Sequence, residues 1–63
     1  MNYTERVTKA MRSEGGTATA ATIGLRLSLS STAATRVLNG MLAAGTARKT
    51  GEKRGNSAVW ELV

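Results

Sequence analysis

Cysteine, histidine, aspartate and phenylalanine are all missing from this 63-residue chain. Without thiols or imidazoles there is no disulfide, and the usual zinc, copper or haem ligands are lacking, so no metal and no cofactor is expected to supplement the core. The same absences remove the common general bases and activated nucleophiles. The carboxylates are Glu5, Glu14, Glu52 and Glu61, scattered along the chain, and a serine or threonine hydroxyl with no base beside it is inert. The chain is therefore not expected to be an enzyme. No apolar run approaches the length of a membrane span or a signal-peptide core, and Glu5, Arg6 and Lys9 mix charges near the N-terminus. This predicts a cytoplasmic protein with no membrane partner. The length allows one small domain, residues 1–63, and a chain of this size buries only about 60% of the surface its unfolded form exposes.

What the chain does have is positive charge. Nine Lys and Arg residues against four glutamates give a formal net charge of +5, and the sequence pI is about 10.9. Such a balance points to a polyanionic partner, with nucleic acid ahead of an anionic membrane surface. Aromatic residues make up 3% of the chain, too few for the stacking platforms that bind RNA or single strands.

Tyr3, Val7, Ala10 and Met11 recur on one helical face, predicting a first helix from Asn2 to Glu14 with Asn2 or Thr4 as its cap. Gly15-Gly16 ends it, because glycine enters the left-handed region without steric penalty. Residues 16–18 read as slightly extended. Thr19 offers a cap to a second helix, Ala20 to Leu27, with Ala21, Ile23 and Leu27 inward and Gly24 as a weak link. Ser30 then caps a third helix that runs to about Ala44, where Ala34, Val37, Leu38 and Met41 repeat at three and four before Gly45 stops it. Beyond that point, 46–50 and 57–62 read as two short strands around a turn at 51–56, with Ala58, Trp60 and Leu62 on the inward side.

Three helices followed by a basic hairpin resemble the winged helix-turn-helix DNA-binding domains of bacterial and phage regulators. The run Thr19-Ala20-Ala21-Thr22-Ile23-Gly24-Leu25-Arg26-Leu27-Ser28-Leu29-Ser30 is similar to that family's capped helix, tight turn and recognition-helix cap. Thr35-Arg36-Val37-Leu38, Met41, Ala43-Ala44-Gly45 and Arg48-Lys49 continue the likeness, which covers nearly the whole chain. The sequence departs from the pattern at Ser28, where the family usually has glycine, at Ala33 and Ala34 in place of a frequent Thr-Val pair, and at Gly40 within the third helix. Winged helices that bind Z-form nucleic acid present an Asn and a Tyr where this chain has Thr35 and Asn39, so ordinary B-form duplex is the expected ligand. The resemblance implies an α+β winged helix-turn-helix: three short helices followed by a two-stranded β-hairpin wing.

With Ala34, Leu38 and Met41 turned inward, the opposite face of the third helix carries Thr32, Thr35, Arg36 and Asn39, a set suited to the major groove. Arg36 can give two hydrogen bonds to a guanine edge, Asn39 can pair with adenine, and the threonines can meet a phosphate or a thymine methyl. Ser30 and Ser31 stand where the helix N-terminus would meet a phosphate. Arg48, Lys49, Lys53 and Arg54 concentrate charge on the hairpin, for a backbone or minor groove. The plainer alternative is a solvated polar face beside a soluble charged loop. The expected function is sequence-specific binding of double-stranded DNA by a small transcriptional regulator, nucleoid-associated when bound. The alternative is a protein-interaction winged helix without base reading. Leu25 and Leu42 stand where the family usually carries solvated residues, which raises a weak homodimer as a further expectation; otherwise they enlarge the core.

Overall fold

The computed structural model describes residues 3–63. In chain order they form α1 (Tyr3–Ser13), β1 (Thr17–Thr19), α2 (Ala20–Leu27), α3 (Ser31–Ala44), β2 (Ala47–Arg54) and β3 (Ser57–Leu62). Three helices pack on a three-stranded antiparallel sheet of order β1-β3-β2, an α+β arrangement compatible with a winged helix. The expected two-stranded wing is thus corrected to a three-stranded sheet. Residues 17–19 are too few to display an alternating pattern; they become a strand because β3 offers a partner edge. Thr17 pairs with Glu61, Ala18 with Trp60 and Thr19 with Val59.

In α1 the stripe Val7, Ala10 and Met11 is buried. Thr4 is not a cap but lies inside the helix, its carbonyl accepting the Thr8 hydroxyl at 2.8 Å; Asn2 lies outside the described residues. Gly15 and Gly16 take φ of 85° and 95°, and the Gly16 N–H donates to the Met11 carbonyl at 2.8 Å. The glycine pair therefore ends the helix as its conformational freedom predicts.

Thr19 caps α2, its Oγ1 accepting the Thr22 N–H at 3.2 Å. Ile23 and Gly24 are the buried residues of this helix, with Ala20 and Leu27 packed against the core from its edge. The expected inward place of Ala21 is wrong. The stripe runs 20, 23, 24, 27, and Ala21 is exposed on the outer side, four residues from Leu25. Gly24 is a point of close approach: a Cβ built there would lie 2.6 Å from the Leu29 carbonyl oxygen and 3.3 Å from that of Ser30. The α2–α3 turn rests directly on its backbone, with the Leu29 N–H donating to the Gly24 carbonyl at 2.8 Å. Ser28 sits at φ 57°, ψ 39° as the C-cap of α2, the single non-glycine residue at positive φ among those described.

Ser30 caps α3, its Oγ accepting the Ala33 N–H at 3.1 Å, and Gly45 at φ 79° ends it. Ala34, Leu38 and Met41 are buried, Val37 is half-buried, and the helix continues unbroken through the exposed Gly40.

The β2–β3 hairpin extends further than expected. Arg54 pairs with Ser57, so the turn is Gly55-Asn56 rather than 51–56. Gly55, at φ 61°, holds the first central position, where a type II′ turn needs positive φ. Gly51 belongs instead to a bulge. Lys49 pairs with Trp60 and Lys53 with Ala58, leaving Thr50, Gly51 and Glu52 opposite Val59 alone. The Thr50 hydroxyl stitches this bulge by accepting the Glu52 N–H at 3.1 Å and donating to the Val59 carbonyl at 3.4 Å. Val59, expected on the outer side, is buried because β3 is the central strand and buried Thr19 is its partner on β1.

Val7, Met11, Ile23, Leu38, Met41 and Trp60 form the core together with Ala10, Ala18, Ala34 and Ala47. Leu25 is 87% exposed and Leu42 is 44% exposed, so neither enlarges it. No helix among the described residues is long and apolar enough to cross a membrane.

The two helical glycines make opposite predictions. At Gly40 nothing lies within 4 Å of an added Cβ, so Gly40→Ala is expected to stabilise the fold by about 1 kcal/mol through helix propensity. Gly24→Ala is expected to destabilise it by about 1–3 kcal/mol despite the same propensity gain, because backbone must move. Denaturant melts of both variants check the sign.

Candidate nucleic-acid interface

The sequence of α3 contains no acidic residue, and its outward side is a run of polar groups. Ser31, Thr32, Arg36 and Asn39 are exposed, and Thr35 is half-buried. Their common orientation follows from the burial of Ala34, Leu38 and Met41 on the other side. Ser30 is exposed, but its oxygen is already committed to the Ala33 N–H. The Thr35 hydroxyl donates to the Ser31 carbonyl at 2.8 Å, tying these two residues together in the first turn.

Between that turn and the hairpin lies a cleft of about 260 Å³. Ala20, Ala21, Ser31 and Thr35 line it from the helices, and Lys49, Asn56, Ser57, Ala58 and Trp60 line it from the sheet. Sheet register explains Lys49, Ala58 and Trp60 in the second set. Side chains alternate across a strand, so Ala18, Trp60 and Lys49, which pair across three strands, stand on one face, with Ala58 two residues along. The bulge inserts an even number of residues and preserves this parity, so Lys53, opposite Ala58, shares the face. Trp60 is 2% exposed, and the Lys49 ammonium sits 5.3 Å from its ring centroid, within cation–π range.

The other hairpin cations are arranged differently. Arg48 lies on the reverse face, opposite Glu61, and its guanidinium donates to the Glu61 carboxylate. Arg54 shares that reverse face by the same alternation. Neither Lys53, Arg54 nor Arg36 takes part in an ion pair among the described residues; the two pairs formed are Arg48–Glu61 and Arg26–Glu14, the latter at 2.8 Å.

Of the ten residues singled out from the sequence, Ser31, Thr35 and Lys49 converge in the cleft. Thr32, Arg36 and Asn39 form an exposed rail on α3, Ser30 acts as a cap, Lys53 and Arg54 project from the hairpin arm, and Arg48 is held by Glu61. Asn56 and Ser57 were missed as lining residues. The signal that could have found them is the Gly55-Asn56 dipeptide, which marks a two-residue turn and so puts Asn56 and Ser57 at the hairpin end beside the cleft. A second depression, of about 300 Å³ beside α1, has Arg12 as its single charged residue and shares no residue with the cleft. Among the described residues no group of three potential metal ligands exists.

No protein-family model matches this chain, and the searches of curated proteins and of solved structures found no significant match to it.

Proposed function

We propose that this chain is a winged helix-turn-helix that binds double-stranded DNA as a small transcriptional regulator, with α3 in the major groove and the β2–β3 hairpin along the backbone. The carrying observation is the acid-free, exposed rail Thr32, Arg36 and Asn39 on α3, together with a hairpin arm whose Lys53 and Arg54 have no ion-pair partner among the described residues. A helix that presents Arg and Asn side chains from a smooth, small-residue surface matches the donors and acceptors of guanine and adenine edges. Unpaired cations at a slender hairpin tip match phosphates, which position a protein without reading sequence. A net charge of +5 supports association with a polyanion.

A second reading is favoured by Leu25, a large apolar side chain almost wholly exposed on α2. Under it the chain meets another protein surface, a second copy of itself included, without direct base reading. A steep fall of duplex binding with salt supports the first reading, since release of counterions from DNA accompanies each phosphate contact.

Three outcomes are expected. Arg36→Ala lowers affinity for a selected site by about 1–3 kcal/mol while affecting random duplex much less; equal losses on both would make Arg36 a phosphate contact. Replacing Lys53 and Arg54 together by alanine weakens binding to all sequences and reduces the salt slope by about 2, near one unit per lost contact, as read by anisotropy titrations at several salt concentrations. In sedimentation, wild type shows self-association that Leu25→Glu abolishes without unfolding; a strictly monomeric wild type, with and without duplex, removes the dimer.

A further inference from the structure

We propose that the cleft between α3 and the hairpin seats one backbone phosphate of the bound duplex on Lys49, and that Trp60 is the positioning residue that holds the Lys49 ammonium ready for it. This rests on the DNA-binding reading and adds to it a division of labour: the exposed rail of α3 reads bases, and the cleft takes a phosphate. The chemistry of the lining carries the assignment. Ser31 supplies a hydroxyl and Asn56 an amide that can donate, while the Thr35 proton is already given to the Ser31 carbonyl; Lys49 is the single charged group, and no carboxylate lines the cleft. Donors that converge on one cation without a compensating acid make a site for an anion. Stacking with an unpaired base is excluded, because the Trp60 indole is buried and its ring lies beneath the Lys49 ammonium.

The role of Trp60 follows from register. Lys49 is its direct neighbour on β2 and shares its sheet face, so the ammonium rests over the indole at 5.3 Å. A free lysine side chain loses rotamer freedom when it grips a phosphate; one already leaning on a ring loses less. Lys53 is an internal contrast. It occupies the same face but opposite Ala58, with no ring beneath it, so its contact is made without that preorganisation. Arg48 differs again, turned to the reverse face and engaged by Glu61.

The test is a set of salt titrations on one labelled random duplex with wild type, Lys49→Gln, Trp60→Leu, Trp60→Tyr and the Lys49→Gln/Trp60→Leu double variant, each checked for cooperative melting. Lys49→Gln is expected to reduce the salt slope by about 0.9, the value for one phosphate on duplex DNA. Trp60→Leu is expected to weaken binding several-fold with the slope retained, because the charge is present but unheld, and Trp60→Tyr to recover most of that loss. In the Lys49→Gln background Trp60→Leu should cost nothing further. If wild type binds duplex but Lys49→Gln leaves the slope unchanged, the phosphate seat is overturned and the DNA-binding reading stands. Equal Trp60→Leu losses in both backgrounds overturn the positioning role. Should Trp60→Leu not fold, Trp60→Phe takes its place in the cycle: its weaker ring face predicts a smaller loss, again confined to the background that retains Lys49. Wild type that does not bind duplex at all overturns this proposal and the reading beneath it together.

Discussion

The row Ala18–Trp60–Lys49 crosses all three strands, and the placement of its central indole is the constraint on which the rest of the molecule depends. Trp60 is the largest side chain available to a core in which Ala10, Ala18, Ala34 and Ala47 are four of the ten members. Alanines bury little area, so this one ring supplies a disproportionate share of the apolar surface removed from water. Its small neighbour Ala18 lets β1 join the sheet, and its other neighbour, Lys49, brings a cation to the edge of the cleft. One residue thus couples the stability of the domain to the geometry of the cleft between α3 and the hairpin.

A second constraint sits at the α2–α3 turn. Glycine stands within α2 at Gly24, and Ser28 in the turn takes the left-handed region. The pairing has a steric logic. The turn descends far enough that the Leu29 carbonyl fills the space a Cβ at position 24 would need. A helical glycine costs about 1 kcal/mol in propensity, and a left-handed serine costs a similar amount. What they permit is a close crossing of α2 and α3, which fixes the direction in which the α3 rail faces.

Charge works against so thin a core. With a net charge of +5 and two solvent-accessible ion pairs among the described residues, the folded state carries self-repulsion that exposed pairs offset weakly. Arg36, Lys53 and Arg54 take no part in an ion pair among the described residues. Such an arrangement favours ligation by an anion, and a duplex that neutralised them would stabilise the fold by linkage.

The helices, their caps at Thr19 and Ser30, their glycine stops and the inward stripe of α3 were legible in the sequence, because each depends on contacts within a few residues and on the 3.6-residue period. Arg36, Asn39 and Thr32 could be assigned to an outward face for the same reason. Tertiary structure alone decided the rest. Residues 16–18 read as slightly extended, but three residues become a strand only against the edge of β3. Ala21, expected inward, is exposed, and Gly24, expected only as a weak link, is buried because the α2–α3 turn packs down onto its backbone. The fates of the hairpin cations are invisible along the chain, where Arg48 and Lys49 are adjacent and alike. Register across the strands sets one against Glu61 and the other over Trp60, and register is a property of pairing between segments that the sequence of either one alone does not contain.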